Sequence, residues 1–231
     1  MLLPEGQPGR GRPPASSVLI PTMPHLVSVN VGPQRDVEWF GRTVRTAIWK
    51  EPVEGRVAVR GVNLDGDDQA DRRVHGGPDK AVYAYAAEDY AWWADQGDEV
   101  GPGTFGENLT TEGLDLSNAV LGERWRVGSA LLEVAQPREP CFKLGIRMGR
   151  AAFRDRFADA DRPGAYLRII EDGEVGAGDP VEVIDRPDHG RTILDLLHAT
   201  EDPTPEGLAA MLAVPTIPVG WRDWAERRLA D

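Results

Sequence analysis

The sequence predicts a mainly β domain, an antiparallel barrel or sandwich with inserted helices, followed by a small helical bundle. Three observations lead there. Between Leu26 and about Pro187, short Val-rich runs end in Gly, Pro or Asp, as strands separated by tight turns do. Two segments inside that stretch switch to helical spacing, and beyond Pro187 helical spacing takes over. The 231 residues are 41% hydrophobic and 28% charged, enough for one sizeable core and too apolar for a disordered chain.

Residues 1–24 are rich in Pro and Gly and carry no periodic apolar pattern, so they read as a flexible tail with Met23 as a candidate start. Their longest apolar run, Val18–Ile20, is stopped by Pro21 and is too short for a secretory signal. Strands are expected at Leu26–Val31, Thr43–Ile48, Gly55–Val62, Ala81–Ala86, Glu107–Thr110, Glu123–Val127, Ala130–Gln136, Ala165–Glu171 and Pro180–Asp185. Gly128-Ser129 marks a hairpin between two alternating runs, and Asp172-Gly173 marks a second within Ile170–Val175. Glu88–Gln96 places Tyr90, Trp93 and Ala94 on one helical face, and Gly149–Phe157 reads as a basic helix. After Pro187, Thr192–Thr200 reads as a helix, Thr204 and Pro205 open a second, and Val219–Leu229 forms a third carrying Trp221 and Trp224. The organisation expected is a tail (1–24), a β domain (25–187) and a three-helix extension (188–231) packed on the barrel. The alternative for the Trp-bearing face is a partner protein or a second copy in a homodimer.

Several function classes are excluded. A net charge of −12 argues against coating duplex nucleic acid, and no apolar run is long enough to span a membrane. One cysteine permits no internal disulfide or cysteine-rich zinc module and fits a reducing, cytoplasmic setting. The four histidines lack His-x-x-x-His spacing, and neither a Gly-x-Ser-x-Gly elbow nor a Walker or dinucleotide loop is present.

The chemistry-bearing residues fall in three segments. Cys141 follows two prolines in Gln136-Pro137-Arg138-Glu139-Pro140, which place it on a rigid loop at a strand end, between Arg138 and Lys143. From Arg138 to Arg156 there are six basic residues and two acidic ones, a local +4 in an acidic chain, which suits either an anionic ligand beside the thiol or a solvated basic helix face. In Arg73-Val74-His75-Gly76-Gly77-Pro78-Asp79-Lys80, the glycine pair lets backbone N–H groups approach a ligand while Arg73, His75 and Lys80 supply charge-assisted hydrogen bonds. In Gly106-Glu107-Asn108, Asn108 both donates and accepts, which suits a heterocycle edge, and Glu107 offers a carboxylate.

Read in order, RVHGGPDKAVYAY, FGENLTTEGL, GERWRVGSALLEVAQPREPCFKLG and GEVGAGDPVEV resemble the MOSC domain, named for molybdenum cofactor sulfurase C-termini, in its stand-alone YiiM-type branch. The helical extension resembles the one that follows the domain there. The resemblance implies a MOSC-type β-barrel that binds molybdenum cofactor (Mo-molybdopterin), with Cys141 as metal ligand. It implies that Arg73, His75 and Lys80, with the Gly76-Gly77 turn, hold the pterin phosphate and dithiolene edge. Asn108 would then bond near the metal, Lys143 would keep Cys141 ionised, and His75 or Glu107 would relay protons. No pyridoxal phosphate is expected in this chain. The activity implied is reduction of N-hydroxylated small molecules, such as hydroxylaminopurines and amidoximes, by oxygen-atom transfer to molybdenum. One cysteine cannot hold an iron–sulfur cluster, so electrons are expected from a separate flavin or iron–sulfur reductase. A non-catalytic carrier of the cofactor or of sulfide is the first alternative, a cofactor-free thiol sensor the second.

Overall fold

The structure, a computed structural model, describes residues 23–70 and 76–230. In chain order the first half comprises β1 (His25–Val31), β2 (Arg35–Trp39), β3 (Arg42–Thr46), β4 (Glu51–Pro52), β5 (Val57–Arg60) and β6 (Asn63–Leu64). A 3-10 turn (Pro78–Lys80) then leads into β7 (Val82–Ala86), α1 (Ala87–Asp95) and β8 (Leu109–Glu112). The second half adds β9 (Arg124–Val127), β10 (Ala130–Pro137), α2 (Phe142–Arg147), α3 (Phe153–Ala158), β11 (Ala165–Glu171), β12 (Gly173–Val175) and β13 (Val181–Asp185). It ends in α4 (Ile193–Glu201), α5 (Pro205–Leu212) and α6 (Val219–Ala230). Among the described residues no helix is long and apolar enough to cross a membrane.

The main sheet has eight strands in the order β13-β9-β10-β11-β7-β8-β1-β4, antiparallel except for the β7–β8 pair. That parallel pair requires a crossover, which α1 and the loop after it provide. The sheet curls until its ends meet at one His25–Pro180 bridge, but no continuous ladder closes the expected barrel. Backbone bonds from Leu26 N to Asp179 O (2.9 Å) and Val181 N to Pro24 O (2.7 Å) tie this seam. Pro24 and Pro180 lack the N–H groups that would extend it.

Strand β7 shows how one strand serves two cores. Alternate residues Val82, Ala84 and Ala86 pack with Leu132, Val134 and Trp125 inside the curled sheet. Tyr83 and Tyr85 point the other way, into an aromatic cluster with Tyr90, Trp93, Phe105, Phe153 and Phe157. The helical extension joins the first cluster through Ile193, Leu196, Leu208, Met211 and Ala225. Thr192 caps α4 in a capping box with Asp195, and Thr204 caps α5 ahead of Pro205, as their spacing indicates.

Two local expectations are corrected. The segment Ile170–Val175 forms no hairpin: β12 leaves β11 and pairs with β5, while Asp172 Oδ1 accepts from Gly61 N (3.1 Å) at the corner. The helix expected over Gly149–Phe157 begins only at Phe153, as the short α3, after a turn that follows α2. Its buried aromatic anchors, Phe153 and Phe157, span a single turn, so only α3 has an apolar stripe there.

Candidate functional site

Strand β10 runs through the middle of the main sheet with all eight residues buried and ends at Pro137. The chain then passes Arg138, Glu139 and Pro140 to Cys141, which immediately precedes α2 and is half-buried. Cys141 opens onto a recess of about 90 Å³ whose wall includes Lys50, Asp67, Lys80, Asn108, Arg138 and Lys143. Thus four sequence-predicted residues, Cys141, Lys80, Asn108 and Lys143, come together although 80 and 141 lie far apart in sequence. Lys80 and Glu139 also border a wider recess of about 630 Å³, walled opposite by Trp221 and Trp224. Arg73 and His75 lie outside the described residues. Gly76 borders the wider recess, and Gly77 O accepts from Lys80 N (3.1 Å), closing the turn that presents Lys80.

That turn is braced from beneath. Gln136 Nε2 donates to Asp79 O (3.0 Å), and Gln136 Oε1 accepts from Trp221 Nε1 (2.5 Å), so the lysine turn is tied to α6. Arg168 adds a donor to Asp79 Oδ1 (2.6 Å) while reaching Glu133 Oε1 (2.8 Å) and Thr216 O (2.7 Å).

Arg138 is the site's dominant buried charge, only 5% exposed. Its guanidinium lies over the rings of Tyr83 (5.2 Å) and Phe157 (5.3 Å), and its Nη1 has no hydrogen-bond partner among the described residues. Burial works against the charge on Arg138, but Tyr83, Tyr166 and Cys141 outweigh it and hold the group above its ordinary pKa. The attraction is mutual, so Arg138 favours the thiolate of Cys141.

Asn108 lines the recess and Glu107 does not, but the hydrogen-bonding groups of both turn onto protein partners. Asn108 Oδ1 accepts from Tyr83 N (3.1 Å), and its Nδ2 donates to Asp67 Oδ2 (3.0 Å) and Asn30 O (3.3 Å). Its hydrogen-bonding capacity joins β7 to β1 and fixes Asp67. Glu107 is wholly buried, and Oε1 accepts from Gly103 N (2.5 Å), Tyr90 Oη (2.8 Å) and Thr110 Oγ1 (2.9 Å), while Oε2 has no partner. Burial raises its pKa despite those three bonds. Its contacts make it a strut for the 103–107 loop.

The sign of its titration follows. A carboxyl whose native pKa is raised contributes stability below the ordinary glutamate range and loses it as pH rises through the native value. Glu107→Gln keeps the accepting oxygen and turns the partnerless one into an amide. The difference in melting temperature between Glu107→Gln and wild type is expected to grow in the variant's favour from pH 4.5 to 8, by differential scanning calorimetry. A pH-independent difference would contradict it.

Sequence reasoning missed Lys50 and Asp67. Lys50, 7% exposed, forms an ion pair with Asp67, whose Oδ1 also accepts from Gly32 N (3.0 Å). Burial pushes the Lys50 pKa below the usual lysine range against the pull of Asp67, Glu107 and Asp68. No motif surrounds Lys50, and the hydrophobic alternation nearby gives no reason to expect a buried ammonium.

The MOSC domain family matches residues 71–182. The protein YflK of Bacillus subtilis is 36% identical over 169 residues, 73% of this chain and 76% of that protein. A protein of Gibberella moniliformis named "Reductase" is 32% identical over 64% of this chain, which spans only 27% of that much longer relative. The crystal structure of YiiM from Geobacillus stearothermophilus superposes with a TM-score of 0.73 at 28% identity, covering 89% of this chain and 99% of that one. With its fold and these relatives in agreement, the chain is a member of the MOSC-domain family, of the YiiM type.

Proposed function

We propose that the chain is an oxidoreductase that binds molybdenum cofactor through Cys141 and reduces N-hydroxylated compounds such as hydroxylaminopurines and amidoximes. MOSC domains are associated with molybdenum cofactor, and the observation that carries the reading is the donor set at Cys141. The one thiol of the chain shares a recess with Lys80, Arg138 and Lys143, and Arg138 holds a buried nitrogen without a protein acceptor among the described residues. A phosphorylated pterin dithiolene offers a thiophilic metal to the thiolate and negative charge to the cations, so these residues fit it. The recess at Cys141 is smaller than a pterin, which would extend past Lys80 and Glu139 into the wider recess.

Bound there, the cofactor supplies two-electron chemistry at the N–O bond. The chain's own groups bind and orient. Cys141 is the ligand, Arg138 and Lys143 keep it ionised, and Lys80 takes the anionic edge. Tyr83, Phe105 and Tyr166 form a wall that limits water. The net change is R–NHOH plus two protons and two electrons to R–NH2 and water, the electrons coming from a separate flavin or iron–sulfur reductase. The relative named "Reductase" supports an oxidoreductase assignment, although most of its length lies outside the match.

Protein purified anaerobically is expected to carry molybdenum by elemental analysis and to reduce hydroxylaminopurine with a reduced viologen dye. Cys141→Ala is expected to lose the metal and at least about 100-fold in rate, since loss even of outer-shell support costs metal sites up to that much. Equal metal content and equal rates in the two proteins would reject the assignment.

A further inference from the structure

Resting on that reading, we propose that Lys50, oriented by Asp67, is the group that delivers a proton to the reacting N–O bond. The backbone around Lys50 is clamped from two sides. A Cβ on Gly103 would lie 2.3 Å from Lys50 O, and one on Gly32 would lie 2.0 Å from Trp49 O, so both glycines permit contacts no other residue would. The side chain is fixed as tightly. Asp67 pairs with Lys50 through Oδ1, which also accepts from Gly32 N, and Asn108 Nδ2 holds Oδ2 (3.0 Å). Lys50 nevertheless belongs to the wall of the recess onto which Cys141 opens.

The pairing decides between roles. Lys80, Arg138 and Lys143 line the recess as cations suited to an anion, whereas Lys50 and Asp67 together are close to neutral and add little attraction for one. A buried ammonium is suited to giving up a proton because burial disfavours its charge, and the Asp67 carboxylate left behind is held by Gly32 N and Asn108 Nδ2. The charged groups bearing on Lys50 are Asp67 and Asp68 from the segment after β6 and Glu107 from the segment before β8. Cys141, Lys80, Arg138 and Lys143 share its recess. The step balances as follows. The N–O bond breaks with two electrons from the external donor, Lys50 gives one of the two protons needed, and water gives the other. The resulting neutral amine, still held by Asp67, is reprotonated from solvent. Asp67 and Asn108 are positioning residues.

The test compares wild type with Lys50→Arg and Lys50→Met, each loaded with cofactor and driven by reduced viologen. It is read together with 15N-lysine NMR of the same proteins. Lys50 is expected to titrate below the other lysines, and wild-type kcat/KM to fall as pH rises through that titration. Lys50→Arg keeps the charge and the bridge but cannot release a proton near neutral pH. It is expected to lose about 100-fold in kcat together with that limb of the profile, with molybdenum content and KM unchanged. Lys50→Arg with the wild-type rate and limb overturns the proposal, and so does a Lys50 titration with no matching limb in the wild-type profile. The second readout decides even where a variant fails to fold. Wild-type protein that holds molybdenum yet turns over no N-hydroxylated substrate overturns the reductase reading itself, an outcome distinct from indifference at Lys50.

Discussion

Gly103→Ala is expected to lower the melting temperature by about 10 °C, a loss of roughly 3 kcal/mol for a chain of this size. Two effects add. Gly103 has φ +81°, which costs a residue with a side chain about 1 kcal/mol. The new methyl would also sit 2.3 Å from Lys50 O and 3.0 Å from Lys50 C, both backbone atoms that cannot swing away. Relieving that contact moves either the 48–51 segment or the 103–107 loop, and Glu107 anchors the latter through Gly103 N. Gly97→Ala separates the two effects, because Gly97 has φ +85° but nothing within 4 Å of the added atom. It is expected to lose only about 1 kcal/mol. Calorimetry of both variants measures the close approach by difference, and equal losses would mean that the Lys50 segment is not clamped. Since Lys50 faces the recess, Gly103→Ala is also expected to weaken activity more than its stability loss explains.

Which features were legible in the sequence follows from what each residue type responds to. Strand Ala165–Glu171 and the ends of β9, β10 and β13 were readable because alternating or continuous apolar runs stop at turn residues. The hairpin of β2 and β3 was half-read. Arg35–Trp39 is mostly polar on both faces, exposed or only half-buried, so it carries no period-2 signal for a core. The cysteine loop was readable because prolines, a lone thiol and a run of cations coincide within a few residues. Lys50 and Asp67 were not readable, because their meaning lies in pairing with each other and with Asn108 across three separate segments. The partners of Glu107 and Asn108 were not readable for a related reason: spacing places a residue near a site but does not fix which way its side chain turns. Here both side chains turn inward, onto Gly103, Tyr90, Thr110, Tyr83 and Asp67.

Arg138→Met is expected to separate stability from ligand binding. Arg138 is buried with one nitrogen lacking an acceptor among the described residues, and its compensation comes largely from ring faces at 5.2 and 5.3 Å. Near neutral pH and without its anion that charge is expensive, because Tyr83 and Tyr166, whose pKa values burial raises, are uncharged there and return only part of the lost hydration. Methionine fills similar volume against Tyr83 and Phe157 without that penalty. The ligand-free variant is therefore expected to be at least as stable as wild type, and up to about 2 kcal/mol more stable by denaturant titration. Binding should move the other way. Losing a charge-assisted hydrogen bond of about 1.5–3 kcal/mol weakens the anionic cofactor roughly 10- to 100-fold. The Cys141 thiol should become less acidic, which iodoacetamide reactivity against pH reports without any cofactor. If Arg138 were only a structural prop, the variant would lose stability and leave the thiol's reactivity profile where it was. A gain in stability together with weaker binding and a less acidic thiol is the pattern of a charge retained for what it holds, at the expense of the fold that holds it.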